Sequence, residues 1–108
     1  MAKTFNERVW ALTKKIPKGN VSTYKLLAHA AGTKAYRAVG NAMNKNPNGI
    51  MNCKGKNMVP CHRVVDSKGN LHGFAHGLEI KANLLKKEGV KVRNNKIEDF
   101  DEILFKFL

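Results

Sequence analysis

Apolar positions in the first stretch of the chain lie three or four residues apart, which predicts a helix with one buried stripe. These positions are Phe5, Val9, Leu12 and Ile16. The sequence Thr4-Phe5-Asn6-Glu7 is typical of a capping box, in which Thr4 is the N-cap and Glu7 reaches back to its backbone. Pro17-Lys18-Gly19-Asn20 predicts the turn that ends this helix.

Two shorter helices are predicted next, joined by a tight turn at Gly32. Ser22 or Thr23 is a suitable N-cap for the first, and the second spans about 34–44. The second helix has an apolar face of Ala35, Val39, Ala42 and Met43, and a polar face of Lys34, Arg37, Asn41 and Asn44. This arrangement resembles a helix-turn-helix, in which the second helix presents its polar face to DNA. The alternative is a helix face that simply contacts solvent.

Loops and a short extended segment are predicted for the middle of the chain. Residues 46–57 are rich in Asn and Gly and predict a long loop. Residues 58–65 read as an extended, partly buried segment, and 66–70 as a turn at the tip of a hairpin. A second loop is predicted over 71–77.

The last part of the chain predicts two more helices. One spans about 78–87, with Leu78, Ala82 and Leu85 on a buried stripe, and 90–93 follow as a short strand. The other spans 97–108, where Ile97, Phe100, Leu104 and Phe107 fit one helical stripe. The predicted fold class is mainly α with a small β element, a winged-helix-like helix-turn-helix DNA-binding domain.

Length and charge narrow the function. With 108 residues the chain predicts one domain, with a core over 5–92 and a helical extension over 97–108. The net charge is +12, and residues 1–97 carry about +15 because four acids cluster at 98–102. Such an excess favours a polyanion partner, nucleic acid first. A membrane surface is disfavoured, since no basic amphipathic helix is evident; a merely lysine-rich protein is the remaining alternative.

Cys53 and Cys61 are the two cysteines of the chain. No apolar run reaches the length of about 20 residues that a membrane span needs, and the N-terminus lacks a secretory core. We therefore expect a cytoplasmic protein, nucleoid-associated if prokaryotic, whose thiols stay reduced. A disulfide between the two cysteines is then disfavoured, and packing, metal binding or reactivity must explain a free thiol.

Cys61-His62 is the candidate chemical centre. A cysteine becomes a nucleophile when a neighbouring base or positive field favours its thiolate. His62 is the candidate base, but adjacent side chains on an extended segment point to opposite faces, so a bridging water or a tight turn is needed. Glu88, one of few acids outside the C-terminal cluster, is the candidate group that orients the imidazole.

Two other interpretations of these residues remain open. A metal site could draw on Cys53, Cys61, His62, His72 and His76. Their spacings match no standard zinc pattern, so no metal and no cofactor are predicted. The other interpretation is structural, with Cys61 as a buried small hydrophobe and His62 as a hydrogen-bonded core imidazole.

Four motifs, in order over about 5–92, resemble the O6-alkylguanine-DNA alkyltransferase family. Pro60-Cys61-His62-Arg63-Val64 reproduces its signature. The other three blocks are Val21-Ser22-Thr23-Tyr24 with Leu26-Leu27-Ala28, Arg37 to Met43 with Asn46-Pro47, and Leu84-Leu85 with Glu88-Gly89. The resemblance implies repair of alkylated DNA by a methylated-DNA–protein-cysteine methyltransferase that acts once, without a cofactor.

The resemblance also implies the chemical roles at the site. Cys61 would take the alkyl group of an O6-alkylguanine irreversibly, after the base has flipped out of the duplex. His62 would draw the thiol proton through a water, and Glu88 would hold His62. Asn46 would order the hinge beside the site. O4-alkylthymine is a further candidate substrate.

The resemblance assigns the remaining residues to DNA. Tyr24 would push at the adjacent phosphate and contact the base, and Arg37 would fill the gap that the flipped base leaves. The backbone around Val64 and Ala75 would recognise the guanine edge. Asn41, Arg63 and Phe74 complete the set of expected DNA or base contacts. The protein would bind duplex DNA through the minor groove as a monomer.

The chain departs from the family pattern in several places. We expect no N-terminal domain of the kind that many relatives have, and about seven extra residues, Cys53 among them, precede the signature. Phe74 stands where tyrosine is frequent, and His76 where glycine is frequent, which changes the expected pocket. Residues 93–108 lie beyond the resemblance, and we expect them to cover apolar surface that the N-terminal domain covers elsewhere.

Two rivals of different classes remain. Small alkyltransferase-like proteins bind lesions without transfer, and they typically carry tryptophan where this chain has Cys61. A basic DNA-binding module with a structural or metal-bound cysteine would bind DNA independently of Cys61.

Overall fold

The computed structural model describes residues 4–46, 58–71 and 77–107. This part of the chain is mainly helical with two small sheets, which confirms the predicted fold class. Its helices are α1 (Phe5–Thr13), α2 (Tyr24–Ala30), α3 (Tyr36–Asn44), α4 (Leu78–Lys87) and α5 (Phe100–Ile103), and its strands are β1 (Ser22–Thr23), β2 (Val64–Val65), β3 (Val92–Arg93) and β4 (Lys96–Ile97). A 3₁₀-helix covers Cys61–Arg63.

The predicted capping box begins α1. The Glu7 N–H donates to Thr4 Oγ1 at 3.2 Å, and the Thr4 N–H donates to Glu7 Oε1 at 3.0 Å. These bonds satisfy backbone groups that a helix start otherwise leaves unpaired. The Trp10 indole N–H reaches the Ala42 carbonyl at 2.8 Å and so links α1 to α3.

The helix-turn-helix consists of α2 and α3. Thr23 caps α2 by accepting the Leu26 N–H at 3.0 Å, and Gly32 follows α2 with a φ of +82°, a conformation that glycine adopts without strain. α1, α2 and α3 enclose the first core, whose fully buried members include Val9, Leu27, Ala28, Val39 and Ala42. The polar face of α3 is exposed, as predicted.

Strands β1 and β2 pair in parallel, with Ser22 opposite Val64 and Thr23 opposite Val65. Tyr24 and Asp66, the next residues of each chain segment, therefore leave the sheet at the same end. Strands β3 and β4 form an antiparallel hairpin. A second core lies between α4, the sheet and this hairpin, and it contains Val21, Val65, Leu71, Leu85, Val90 and Ile97.

The predicted C-terminal helix over 97–108 was wrong. α5 has only four residues, and Leu104 lies on extended chain that bridges to Val21 in parallel. The Phe105 N–H donates to the Val21 carbonyl at 2.7 Å. Pairing with the sheet thus outweighs the helical spacing. Phe105 and Phe107 pack against the first core and Phe100 and Ile103 against the second, so the segment covers apolar surface. That this is the surface which an N-terminal domain covers in relatives stays a prediction.

Three smaller predictions also need correction. Residues 58–65 are not uniformly extended, because Cys61–Arg63 turn as a 3₁₀-helix before β2. The turn at 66–70 exists, but β2 pairs with β1, so this turn does not close a hairpin. Leu78 is 36% exposed, and the buried side of α4 is completed by Lys81 instead. Most of the two loops predicted at 46–57 and 71–77 lies outside the described residues, namely 47–57 and 72–76, with Cys53, Phe74 and Ala75.

None of the helices in the described ranges has the length and apolar character that a bilayer crossing requires.

Candidate active site

Cys61 opens the 3₁₀-helix and is half-buried, with a free thiol. Its backbone N–H donates to the Val59 carbonyl at 2.8 Å, which fixes the start of the turn. Burial raises the pKa of the Cys61 thiol. A hydrogen bond from Asn46, the charge of Lys81 and nearby backbone N–H groups act in the opposite direction. These interactions offset only part of the effect of burial, so the pKa of the thiol stays above its ordinary value.

Asn46 follows α3 and lies beside the thiol. Its Nδ2 donates to the Val59 carbonyl at 3.2 Å, so this side chain connects the end of α3 to the segment that leads into Cys61. The residue predicted to order a hinge is therefore in contact with the site, whereas its role in a hinge stays a prediction.

His62 is fully buried and is held by Glu88, at 3.0 Å between Nε2 and Oε2. Arg63 binds the same carboxylate with two bonds, Nε to Oε1 at 2.8 Å and Nη2 to Oε2 at 2.7 Å. Burial alone would raise the pKa of Glu88, but the hydrogen bonds and charges of Arg63 and His62 outweigh it and lower that pKa from 4.5 to about 2. Glu88 is therefore ionised at neutral pH.

The charge state of Glu88 decides the tautomer of His62. An ionised carboxylate only accepts hydrogen bonds, so the proton of the neutral imidazole lies on Nε2. Nδ1 then carries the free lone pair, and it is buried with no hydrogen-bond partner in the described part of the chain. Cys61 and His62 are neighbours on a 3₁₀-helix, where successive side chains diverge by about 120°. The two residues do not lie on the extended segment that was predicted, but their side chains still point in different directions.

Lys81 is a member of this site that the sequence analysis missed. Its side chain is fully buried, and Nζ donates to the carbonyls of Val64 at 2.6 Å and Leu71 at 2.5 Å. Burial lowers the pKa of Lys81 from 10.5 to about 8, and the charges of Cys61 and Asp66 act against this shift. The sequence did contain a signal for this, because Lys81 lies next to Ala82 on the side of the predicted helix that carries its apolar residues. A lysine at such a position is rarely fully buried unless it has hydrogen-bond partners.

Tyr24 begins α2 and is half-buried against the first core. Burial raises the pKa of its hydroxyl to about 12, and the charges of Cys61 and Asp66 add to this. The hydroxyl therefore stays protonated over the physiological range. The structure thus brings Tyr24, Asn46, Cys61, His62 and Glu88 into one region.

Arg63 is not available to DNA, contrary to the prediction. Its side chain is 10% exposed, and besides Glu88 it binds the Ile16 carbonyl through Nη1 at 2.9 Å. Because the carboxylate neutralises the guanidinium inside the fold, Arg63 supports the site from within. Val64 is likewise engaged internally, with its N–H on the Cys61 carbonyl and its own carbonyl on Lys81.

Arg37, Asn41 and Asn44 lie on the exposed face of α3, and Lys34 is exposed just before the helix, apart from the buried network. Within the described ranges, no group of three or more His, Cys, Asp or Glu side chains is arranged to hold a metal ion. The arrangement therefore consists of a half-buried thiol, an oriented imidazole and a buried ammonium group, next to a helix-turn-helix with an exposed polar face.

Residues 4–90 match the family model described as "6-O-methylguanine DNA methyltransferase, DNA binding domain". The methylated-DNA–protein-cysteine methyltransferase of Methanosarcina barkeri is 46% identical over 90 residues, which cover 82% of this chain and 52% of the relative. The protein of that name from Kluyveromyces lactis is 41% identical over 85 residues, 78% of this chain and 41% of the relative. The chain thus spans about half the length of the curated relatives it matches.

Solved structures give two further likenesses. The structure of S. pombe Atl1 in complex with damaged DNA containing O6-carboxymethylguanine has a TM-score of 0.74 at 26% identity, and the match covers 97% of this chain and 99% of that one. Mycobacterium tuberculosis OGT in complex with DNA has a TM-score of 0.70 at 37% identity, covering 82% of this chain and 51% of that one.

Proposed function

Because the chain belongs to the 6-O-methylguanine DNA methyltransferase family, we propose that it repairs DNA by moving the alkyl group of an O6-alkylguanine to Cys61. The observation that carries this proposal is the half-buried Cys61 thiol, next to a His62 ring that Glu88 holds in one tautomer. A protein that only bound DNA would need neither the thiol nor the oriented base. The transfer would be stoichiometric and irreversible, since a thioether bond forms at Cys61.

The proposed step is a direct displacement. Cys61 Sγ forms a bond to the alkyl carbon, and the bond between that carbon and O6 breaks. The thiol proton moves through a water to His62 Nδ1, the buried nitrogen with a free lone pair. The electron pair of the broken bond leaves with guanine, which then takes up that proton. Lys81 favours the thiolate form of Cys61, and Asn46 donates to it.

Duplex DNA is the proposed partner, bound through the exposed face of α3 and the minor groove by a monomer. Arg37 and Asn41 lie on that face and have no competing role inside the fold. Arg37 would fill the gap left by the flipped base, and Tyr24, with its protonated hydroxyl, would contact the phosphate and the base. Phe74 and Ala75 are the further candidates for base recognition, since the N–H and carbonyl of Val64 are already bonded to Cys61 and Lys81.

A lesion sensor that binds without transfer is the second candidate. Its support is the likeness to S. pombe Atl1, which extends over 97% of this chain and 99% of that one. The thiol with its oriented base favours transfer, because binding alone does not require a nucleophile.

Intact-protein mass spectrometry separates these candidates. After incubation with a duplex containing O6-methylguanine, the protein is expected to gain one methyl group, about 14 Da. Cys61→Ala should bind the duplex without the gain, and Cys53→Ala should gain as the wild type does. Binding of the wild-type protein without any gain would support the sensor, and absence of lesion-specific binding would contradict both.

Arg37→Ala is expected to slow repair of duplex DNA by about tenfold or more, because only a duplex requires base flipping. Reaction with the free base analogue O6-benzylguanine should be nearly unchanged. Lys34→Ala, at an exposed position two residues before α3, is the control for the loss of one positive charge. Equal losses on the duplex and on the free base would contradict the role of Arg37 in flipping.

A further inference from the structure

The C-terminal segment, residues 91–107, lies beyond the part of the chain that the family model matches. It nevertheless contacts the turn at 66–70, which follows the reactive 3₁₀-helix and β2. The Ile97 N–H donates to the Gly69 carbonyl at 2.8 Å, and Asn70 forms an antiparallel bridge with Lys96. The turn is therefore bonded to β4 along its outer side.

Close packing adds to these hydrogen bonds. Gly69 has a φ of +85°, and a Cβ atom there would approach the Phe100 ring to 3.1 Å. The first residue of α5 thus lies directly on the turn, with no room for a side chain between them. Glycine is the residue that fits both the backbone conformation and the contact.

Leu71 connects the C-terminal segment to the site. Its N–H donates to the Asn95 carbonyl of the hairpin turn at 2.9 Å, and its own carbonyl accepts from Lys81 Nζ at 2.5 Å. The second acceptor of Lys81 is Val64, directly after the reactive helix. The ammonium group is therefore held between the reactive segment and a residue that the hairpin fixes.

We propose that the C-terminal segment is a positioning element for Cys61, because it fixes Leu71 and with it the Lys81 ammonium group beside the thiol. Cys61 and Asp66 are among the charged and titratable groups that act on Lys81. Asp66 is itself fixed in the turn, where Oδ1 accepts the N–H groups of Lys68 and Asn70 at 2.9 and 2.8 Å. A displacement of the turn would thus move Lys81 and Asp66 together.

The hairpin turn offers a matched pair of variants. Asn94 and Asn95 have φ values of 53° and 59°, which asparagine and glycine tolerate far better than alanine. The double variant Asn94→Ala/Asn95→Ala should weaken the hairpin and release Leu71. Asn94→Gly/Asn95→Gly should keep the hairpin, so it controls for loss of the two amide side chains.

Alkylation of Cys61 by iodoacetamide, in a Cys53→Ser background, gives the readout. The alanine pair should react about fivefold more slowly than the glycine pair near neutral pH, with the midpoint of its pH–rate profile shifted upward. In a Lys81→Met background the two pairs should react alike, a coupling that a merely destabilising change would not produce. If the alanine pair reacted as fast as the glycine pair, or faster, in protein that retains Lys81, the proposal would be overturned.

Circular dichroism establishes that each variant is folded at the assay temperature. If the alanine pair is unfolded, Phe100→Ala takes its place with the same expectations. The effect on DNA repair rests on the proposed function, whereas iodoacetamide needs no DNA. The two can therefore fail separately: missing methyl transfer by the wild type contradicts the proposed function, and an unchanged thiol profile contradicts the positioning role.

Discussion

Replacing Glu88 with glutamine is expected to lower the free energy of unfolding at pH 7 by about 3 kcal/mol, because it leaves the guanidinium of Arg63 buried without a counter-ion. The two side chains are 6% and 10% exposed, so water cannot compensate. The variant should also slow methyl transfer by about a hundredfold, since a neutral amide no longer fixes the tautomer of His62. Urea unfolding and intact-protein mass measurements test the two effects.

The loss of stability should depend on pH. The pKa of Glu88 lies near 2 in the fold, below its ordinary value of 4.5, so the unfolded chain binds the proton more readily. Its contribution is complete above about pH 4.5 and disappears as the pH falls through about 2. The difference between wild type and variant should therefore shrink over this window. Glu79→Gln, at the exposed start of the same helix, should differ by less than about 0.5 kcal/mol throughout.

The helices were predictable because local chemistry determines them. The capping box at Thr4, the Thr23 cap and Gly32 each act within four residues, and the observed elements follow them closely. The pairing of His62 with Glu88 was also anticipated, although the two are 26 positions apart. The scarcity of acids outside the C-terminal cluster was the signal for that pairing.

Features that depend on distant contacts were not predictable in the same way. The helical spacing of Leu104 and Phe107 was overridden by pairing of the chain with Val21. Arg63 was predicted to contact DNA, but its guanidinium is hydrogen-bonded within the fold to Glu88 and to the Ile16 carbonyl. The spacing of apolar residues does not predict which distant carboxylate or backbone carbonyl will accept a hydrogen bond from a buried side chain. Such partners are known only once the fold is known.

Lys81→Met is expected to reduce the rate of methyl transfer to Cys61 by about tenfold near neutral pH, because removal of the ammonium charge raises the thiol pKa and lowers the thiolate fraction. The ammonium group favours the thiolate, and methionine occupies similar space without the charge. Single-turnover transfer from an O6-methylguanine duplex, followed by intact mass, measures this. Lys87→Met, on the exposed end of the same helix, should transfer at the wild-type rate.

The same substitution should change how stability depends on alkaline pH. The pKa of Lys81 is about 8 in the fold and near 10.5 when unfolded, so between these values the unfolded chain binds more protons. This group therefore makes the wild type more stable as the pH rises through that window, by up to about 3 kcal/mol. Lys81→Met should lack this gain relative to the wild type. If the variant kept the gain but lost reactivity, Lys81 would not be the group that titrates there. If the variant lost both the gain in stability and the reactivity, the buried Lys81 charge would reduce stability below about pH 8 while it favours the thiolate of Cys61.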